Sequence, residues 1–458
     1  MPAFELAELL QATGAELRGE RTEHFADIVT DTRKITEGAL FVALSGERFN
    51  GEDFAKDAVE KGAAGVIVSK NCPGDKLPSK GTVLVVEDTL KAYQQIAHAW
   101  RKKFDIPVIA VTGSNGKTTT KDFVAAVLSS RGPVCKTQGN FNNEVGLPLT
   151  LLSIREEHVA AVVEIGMRGM HQIETLAPVA EPSIGIVTNV GETHIELLGS
   201  IENIAKAKSE LVEAIPENGA VILNQDDPRV AAMREKAKPG VKVLTFGIQE
   251  DSDIHGESIH TDEHMTRFTV CYREKYHDYV IPTLGLHNVY NALAAVAVGF
   301  QMGLSAMEIH TGFQMLEATK MRFECTEKDG YRIINDAYNA SPMSMKASLE
   351  TTAKLSRESR RIAVLGDMLE LGDVSETAHR EVGHEVGENG FSILITYGEM
   401  SRWIDEGAAG KGVKEIYHAA SHEEAAKILK PLLKRGDTIL FKGSRGMQME
   451  KILELTFG

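Results

Sequence analysis

From about residue 89 onward, short apolar runs alternate with segments whose apolar residues recur at helical spacing. Ile106–Ala110, Val134–Lys136, Ala160–Ile165, Ile184–Thr188, Ala220–Leu223 and Val241–Phe246 read as strands, with helical patterns between most of them. That rhythm predicts a parallel α/β sheet. Residues 252–282 break it with alternating polar and apolar positions, as an antiparallel hairpin at a sheet edge would. Leu286–Phe300 reads as an Ala-rich helix. From about 318 the alternation restarts, with strands expected at Arg332–Ile334, Ile362–Leu365, Ile393–Tyr397, Glu415–His418 and Thr438–Phe441. This predicts a second, smaller open sheet of Rossmann type. Before residue 89 the texture is mixed, with strands at Phe41–Leu44 and Gly65–Val68 among Gly-rich turns. The expectation is an α/β protein of three domains, 1–88, 89–317 and 318–458.

Composition narrows the classes. The chain has 458 residues, is 43% hydrophobic and 25% charged, and carries a formal net charge of −15. Such an acidic balance argues against sequence-independent nucleic-acid binding, which needs clustered Lys and Arg. No apolar stretch reaches transmembrane length, and Met1-Pro2-Ala3-Phe4-Glu5 carries no basic region or long apolar core, so a cytoplasmic location without membrane insertion is expected. The cysteines (Cys72, Cys135, Cys271 and Cys325) are scattered, without a C-x-x-C, and read as reduced packing residues.

The densest chemical signal is Gly113-Ser114-Asn115-Gly116-Lys117-Thr118-Thr119. It follows an apolar run and precedes a segment, Lys121–Ser129, with helical spacing. Strand, Gly-rich turn and helix form the layout of a phosphate-binding loop. Glycines let backbone N–H groups approach an anion, Lys117 reaches outer phosphates, and the Thr118 hydroxyl suits Mg²⁺. The loop is shorter than the general G-x-x-x-x-G-K-[ST] pattern, since Val111 stands where that pattern needs glycine. Binding of ATP or a relative follows. Other candidates stand where strands end, the usual ligand-facing edge of an open sheet. Glu164 is either a solvated strand-end carboxylate or a Mg²⁺ ligand. His194 emerges beyond the next strand. Asn224 reads either as part of a polar turn with a helix N-cap before Pro228 or as a contact to a base or ribose, and Asn288, at a helix start, reads as a cap. Lys208 lies on a helix, where lysines are usually solvated. The loops 335–342, 366–372 and 442–445 form a third group on one rim.

Together these segments resemble the Mur ligases, ATP-dependent amide ligases of bacterial peptidoglycan synthesis, over essentially the whole chain. The resemblance rests on the loop at 113–119, Glu164-Ile165-Gly166, Thr188-Asn189 through His194, Ala207-Lys208, Gly285-Leu286-His287-Asn288 with Asn291, Arg322, and Asp336-Ala337-Tyr338. Three more stretches, 137–148, 364–372 and 442–450, resemble the member that adds a dipeptide. The Asp-Asn-Pro-Arg of the member that adds the third amino acid is missing. Asn335 and Ser341 depart from the family pattern, where Asp and Asn are expected. The resemblance implies ATP and two Mg²⁺ ions, with UDP-MurNAc-tripeptide and D-alanyl-D-alanine as substrates joined through an acyl phosphate. Thr118 and Glu164 would hold metal, His194 would help, and Lys208 would be carbamylated to support it. Asn288 and Asn224 would face the adenine side, with His287 and Asn291 also at the ATP. Arg322 and Asp336 would come from the third domain to the phosphates and ribose, closing that domain over ATP. The first domain would hold uridine through Thr30, Asp31, Thr32, Arg33, Ser45 and Gly46, with Asn140, Asn142 and Asn143 also at the substrate. A monomer is expected. The competing readings are a sister ligase adding a single amino acid and a non-catalytic ATP-binding homologue.

Overall fold

Apolar runs flanked by glycine and polar turns become buried strands, and the computed structural model describes them across residues 4–46, 49–317, 320–356 and 358–458. Residues 1–3, on which part of the N-terminal reading rested, and 318–319, where the third domain was expected to begin, lie outside the described residues. The chain divides into two compact units. The first comprises 1–110, 132–166 and 174–182, and the second comprises 111–131, 167–173 and 183–458.

The first unit contains a five-stranded sheet in the order Glu16–Gly19, Thr82–Val86, Gly65–Ser69, Leu40–Val42, Ile28–Val29. Only the Glu16–Gly19 edge strand runs antiparallel to its neighbour. Phe41, Val66, Val68, Val83 and Val85 form its core with Ala55 and Ala58. The helix Thr89–Arg101 starts at Asp88, whose carboxylate accepts from the Leu90 and Lys91 N–H groups. It buries Tyr93, Ile96, Ala97 and Trp100. The unit also holds the parallel pair Val134–Lys136 and Ala160–Glu164.

In the second unit Ile184–Val187, Ala220–Asn224, Lys242–Gly247 and Ile254–Thr261 are parallel in that order. Thr266–Tyr272 and Lys275–Ile281 continue the sheet antiparallel. The expected hairpin at 252–282 is therefore three strands. Its first strand pairs parallel to Lys242–Gly247 at Phe246–Ile254 before the direction reverses, and periodicity does not distinguish those two kinds of partner. The helix Leu286–Gln301 is buried on nearly all sides, as its run of Ala and Val suggests.

The C-terminal sheet has the order Glu324–Lys328, Tyr331–Asp336, Thr438–Lys442, Arg361–Gly366, Ile393–Tyr397, Glu415–Ala419. The last five strands are parallel, with apolar clusters on both faces, as expected of a Rossmann-type layer. The polar edge strand Glu324–Lys328, which pairs antiparallel to Tyr331–Asp336, carries no apolar run and escaped the sequence reading. Among the described residues no helix is long and apolar enough to cross a membrane, and the cysteines are all free.

Candidate functional site

The loop at 113–119 leaves its strand at Thr112 and enters the helix Lys117–Leu128 at Gly116, whose φ of 80° is left-handed. A Cβ on Gly116 would stand 2.7 Å from Asn291 Oδ1, and one on Gly113 1.8 Å from Thr188 Oγ1. Both positions need glycine for close approach. The loop is clamped to the rim that follows Ile184–Val187. Ser114 Oγ donates to Gly191 O at 3.0 Å and accepts from Gly191 N–H at 2.8 Å. Asn115 N–H donates to Asn189 Oδ1 at 2.8 Å, and Thr188 Oγ1 donates to Asn115 O at 2.6 Å. Lys117 Nζ folds over its own loop, donating to Gly113 O at 2.8 Å and Ser114 O at 3.2 Å. Lys117, Thr118 and Thr119 form the first helical turn, where free N–H groups and the helix dipole favour an anion.

The third region reaches this loop. Arg322 Nη2 donates to Thr118 Oγ1 at 2.9 Å, and its guanidinium lies 4.1 Å from the centre of the Tyr338 ring. Ser341 Oγ donates to Asn115 Oδ1 at 2.9 Å while its own side chain caps the helix Pro342–Leu355. Two buried donors at this junction, Asn115 Nδ2 and Arg322 Nε, have no hydrogen-bond partner. Such donors next to Lys117 and a helix N-terminus make a cradle suited to a polyphosphate.

His194 stands just beyond the rim, in the left-handed region at φ 65°. Its Nδ1 lies 2.5 Å from Glu370 Oε2, and Arg168 Nη2 donates to the other oxygen of that carboxylate. Burial lowers the His194 pKa, with Glu370 opposing it and the Lys117 and Lys208 charges adding to it. A neutral ring that donates Nδ1–H to Glu370 leaves Nε2 as an acceptor. Burial acts against the Glu370 carboxylate, but Arg168 and His194 hold its pKa below the ordinary value.

Lys208 overturns the reading of a solvated helical lysine. It is 2% exposed on the helix Ile201–Ala214, sharing the inward stripe of Ile204, Ala207 and Leu211. That spacing was visible in the sequence and is the signal that could have marked it. Burial, and then the Lys117 charge, push its amine well below the usual lysine range.

Glu164 is likewise no solvated strand end. It closes the strand Ala160–Glu164 at 2% exposure and accepts from Asn142 Nδ2 at 2.7 Å. Asn143 Oδ1 accepts from Gly146 N–H at the start of the next helix, and Asn140 is exposed. Among the described residues no three His, Cys, Asp or Glu side chains form a ready-made metal centre. Mg²⁺ does not need one: it takes one or two protein oxygens and completes its shell with phosphate and water, which fits a hydroxyl and single carboxylates.

The cap expected before Pro228 is Asp227, which accepts from the Arg229 and Val230 N–H groups, while Asn224 ends its strand and donates from Nδ2 to Thr188 O at 2.9 Å. Gly285 occupies the N-cap before Leu286–Gln301, and Asn288 instead donates to Leu284 O at 2.8 Å from the first turn. Asn291 Oδ1 accepts from Thr120 Oγ1 at 2.9 Å, tying that helix to the back of the loop. His287 packs edge-on to Phe323, its Nδ1 is unpartnered, and burial lowers its pKa to about 4. Asp336 accepts from Phe323 N–H at 3.0 Å, Ser348 Oγ at 2.5 Å and Lys442 Nζ at 2.6 Å.

In the first unit Asp31 accepts from the Arg33 N–H and guanidinium, which hold its pKa down to about 2. Thr30 and Thr32 flank it half-buried, and Ser45 Oγ donates to Asn50 Oδ1 at 2.9 Å beside Gly46. Sequence reasoning missed Arg168, Glu370, Ser341 and Lys442 as individual site residues, although it marked the loops that carry the last three.

The chain is similar to known proteins over its length. Models of the Mur ligase family, catalytic domain, the Mur ligase middle domain and the Mur ligase, glutamate ligase domain match residues 24–101, 111–299 and 321–445. A UDP-N-acetylmuramoyl-tripeptide–D-alanyl-D-alanine ligase of Bacillus subtilis is 40% identical over 451 residues, covering 98% of this chain and 96% of that protein. The crystal structure of MurF from Acinetobacter baumannii superposes with a TM-score of 0.90 at 31% identity, covering 100% of this chain and 99% of that one. MurF ligase from Thermotoga maritima, solved in complex with ADP, gives a TM-score of 0.83 at 28% identity, covering 94% of this chain and 96% of that one.

Proposed function

Because this chain belongs to the Mur ligase family, we propose that it is an ATP-dependent ligase joining D-alanyl-D-alanine to UDP-MurNAc-tripeptide. The observation that carries the ATP chemistry is Arg322 of the third region donating to Thr118 on the phosphate loop. The choice of substrates rests on the full-length similarity to relatives of that name.

A carboxylate is a poor electrophile, and its attack on ATP brings two anions together. Lys117, the first-turn N–H groups and Arg322 offset that repulsion and the charge that builds during phosphoryl transfer. The γ-phosphoryl group passes to a terminal oxygen of the tripeptide carboxylate, and ADP departs. The amine of D-alanyl-D-alanine then attacks the acyl carbon, loses a proton and expels phosphate. Water would destroy the acyl phosphate, so contact of the third region with the loop serves to exclude it. Thr118 and Glu164 would hold Mg²⁺, and His194 would offer Nε2 to a second ion. Bound Mg²⁺ would neutralise phosphate charge. Lys208, whose amine burial pushes well below the usual lysine range, is suited to capture CO₂ as a carbamate: the amine nitrogen bonds to the carbon, one C=O bond opens to C–O⁻ and the nitrogen releases a proton, leaving a carboxylate-like anion. Asn224, His287, Asn288 and Asn291 would form the adenine side, Asp336 would serve the ribose, and the first region would hold uridine. Residues 1–88, 89–317 and 318–458 are proposed as the uridine, ATP and acceptor regions.

The test is phosphate release from ATP with Mg²⁺ and UDP-MurNAc-tripeptide, with and without D-alanyl-D-alanine. Release that requires the dipeptide, and is not supported by single amino acids, is expected. Release with a single amino acid would move the chain to a sister activity, and binding of ATP without release would overturn the catalytic reading.

A further inference from the structure

Glu370 is the carboxylate through which the third region meets the central region beside the phosphate loop. It sits in the loop after the strand Arg361–Gly366, and that loop is fixed within its own region. Met368 N–H donates to His379 Nε2 at 3.0 Å, and Leu369 N–H donates to Ser444 Oγ at 2.9 Å. From this base Glu370 reaches two partners in the central region at once, His194 Nδ1 at 2.5 Å and the Arg168 guanidinium. Its backbone joins the contact, since Glu196 N–H donates to Glu370 O at 3.5 Å. Two residues later Gly372 lies against Glu196 so closely that a Cβ would fall 3.2 Å from the Glu196 Cβ. Ile195, next to the histidine, packs on the apolar core of the third region.

An ordinary surface ion pair would not look like this. His194 and Glu370 face each other with φ values of 65° and 64°, a left-handed backbone that non-glycine side chains seldom adopt. Such strain persists only where surrounding contacts hold it, and it gathers at ligand-handling sites. The bond to Nδ1 also determines which way the ring faces and which nitrogen is left as the acceptor.

We propose that Glu370 is a positioning residue for His194: clamped by Arg168, it orients the ring, so that docking of the third region and presentation of His194 Nε2 are a single event. The proposal rests on the ligase reading above for its kinetic consequence but not for its structural one. In that reading Glu370 touches neither substrate nor reacting atoms and acts through the histidine.

Its consequences are separable. Glu370→Ala should lower kcat by about 10–100-fold, the usual cost of losing a partner that orients such a histidine, and leave KM for ATP nearly unchanged. In a His194→Ala background the same substitution should cause little further loss, because residues that act as a unit are not additive. Glu370→Gln, which keeps the side-chain size and an acceptor for the ring but loses the charge facing Arg168, should fall between and serve as the control for folding. Hydrogen exchange of ligand-free protein reads the latch without any substrate: amides of 191–199 should exchange faster in Glu370→Ala than in the parent. Multiplicative losses in the double variant, or unchanged exchange at 191–199, would overturn the proposal. If the parent enzyme failed to use the dipeptide, the ligase reading would fall, and the exchange comparison would still decide the role of Glu370.

Discussion

At the scale of single residues, burial decides what each ionisable group does. Lys208 and Glu164 look like solvated charges in the sequence and are among the most enclosed charged side chains in the molecule. Their charged states are costly without a partner, which is why such groups mark sites where a partner is supplied. His287 carries a testable consequence. Its imidazole takes up a proton near pH 6.5 when free but only near pH 4 in the folded protein. Between those values the unfolded chain holds the extra proton, so stability falls as pH drops through this window, by about 1–3 kcal/mol in total. His287→Gln should flatten that part of the curve in denaturant unfolding measured from pH 7 to pH 4. An unchanged slope would assign the acid sensitivity to other groups. The identity of these residues was legible in the chain. Their burial was legible only in the stripe that Lys208 shares with Ile204, Ala207 and Leu211, because it depends on which face of a helix or end of a strand meets another layer.

At the scale of elements, the phosphate loop works because its glycines admit neighbours from elsewhere in the chain. Gly116 combines a φ of 80° with the approach of Asn291. Gly116→Ala should therefore cost about 1–3 kcal/mol of stability through backbone strain and weaken ATP binding at least tenfold, as measured by thermal unfolding and calorimetric titration. Retained affinity would mean that the loop tolerates a Cβ and that the glycine is incidental. The strand, glycine and helix pattern was readable because each part is local. The Glu324–Lys328 strand was not, since a polar edge strand is defined by pairing with Tyr331–Asp336 and carries no apolar signature of its own. Ser341 shows the same division. It departs from the family pattern, and the structure gives it a local cap and a distant contact with Asn115 together.

At the scale of the whole molecule, the third region touches the loop through Arg322 and Ser341 and meets His194 beside it through Glu370, so binding at the loop and docking of that region are linked. A ligand bound only to the folded state stabilises it by about 2.7 kcal/mol at a hundredfold excess over its Kd. Arg322→Ala should reduce the rise in melting temperature produced by saturating ATP and Mg²⁺, while changing the ligand-free melting temperature much less. An equal ATP-induced rise in both proteins would show that Arg322 does not sense the nucleotide. The net charge of −15 adds a restriction on partners: any anion must be held by local donors against the overall field.

Taken alone, the sequence determined the alternation of strands and helices, the phosphate loop and the strand-end segments that bear the candidate residues, because periodicity and turn chemistry are properties of neighbours along the chain. It also carried the family resemblance, which depends on the spacing of short motifs. Only the tertiary structure decided that Lys208 is enclosed, that Gly285 rather than Asn288 occupies the cap of its helix, and that Glu370 meets His194 across 176 positions of chain. Those facts arise from packing between distant segments, whose free energy depends on shape and burial that no local pattern encodes.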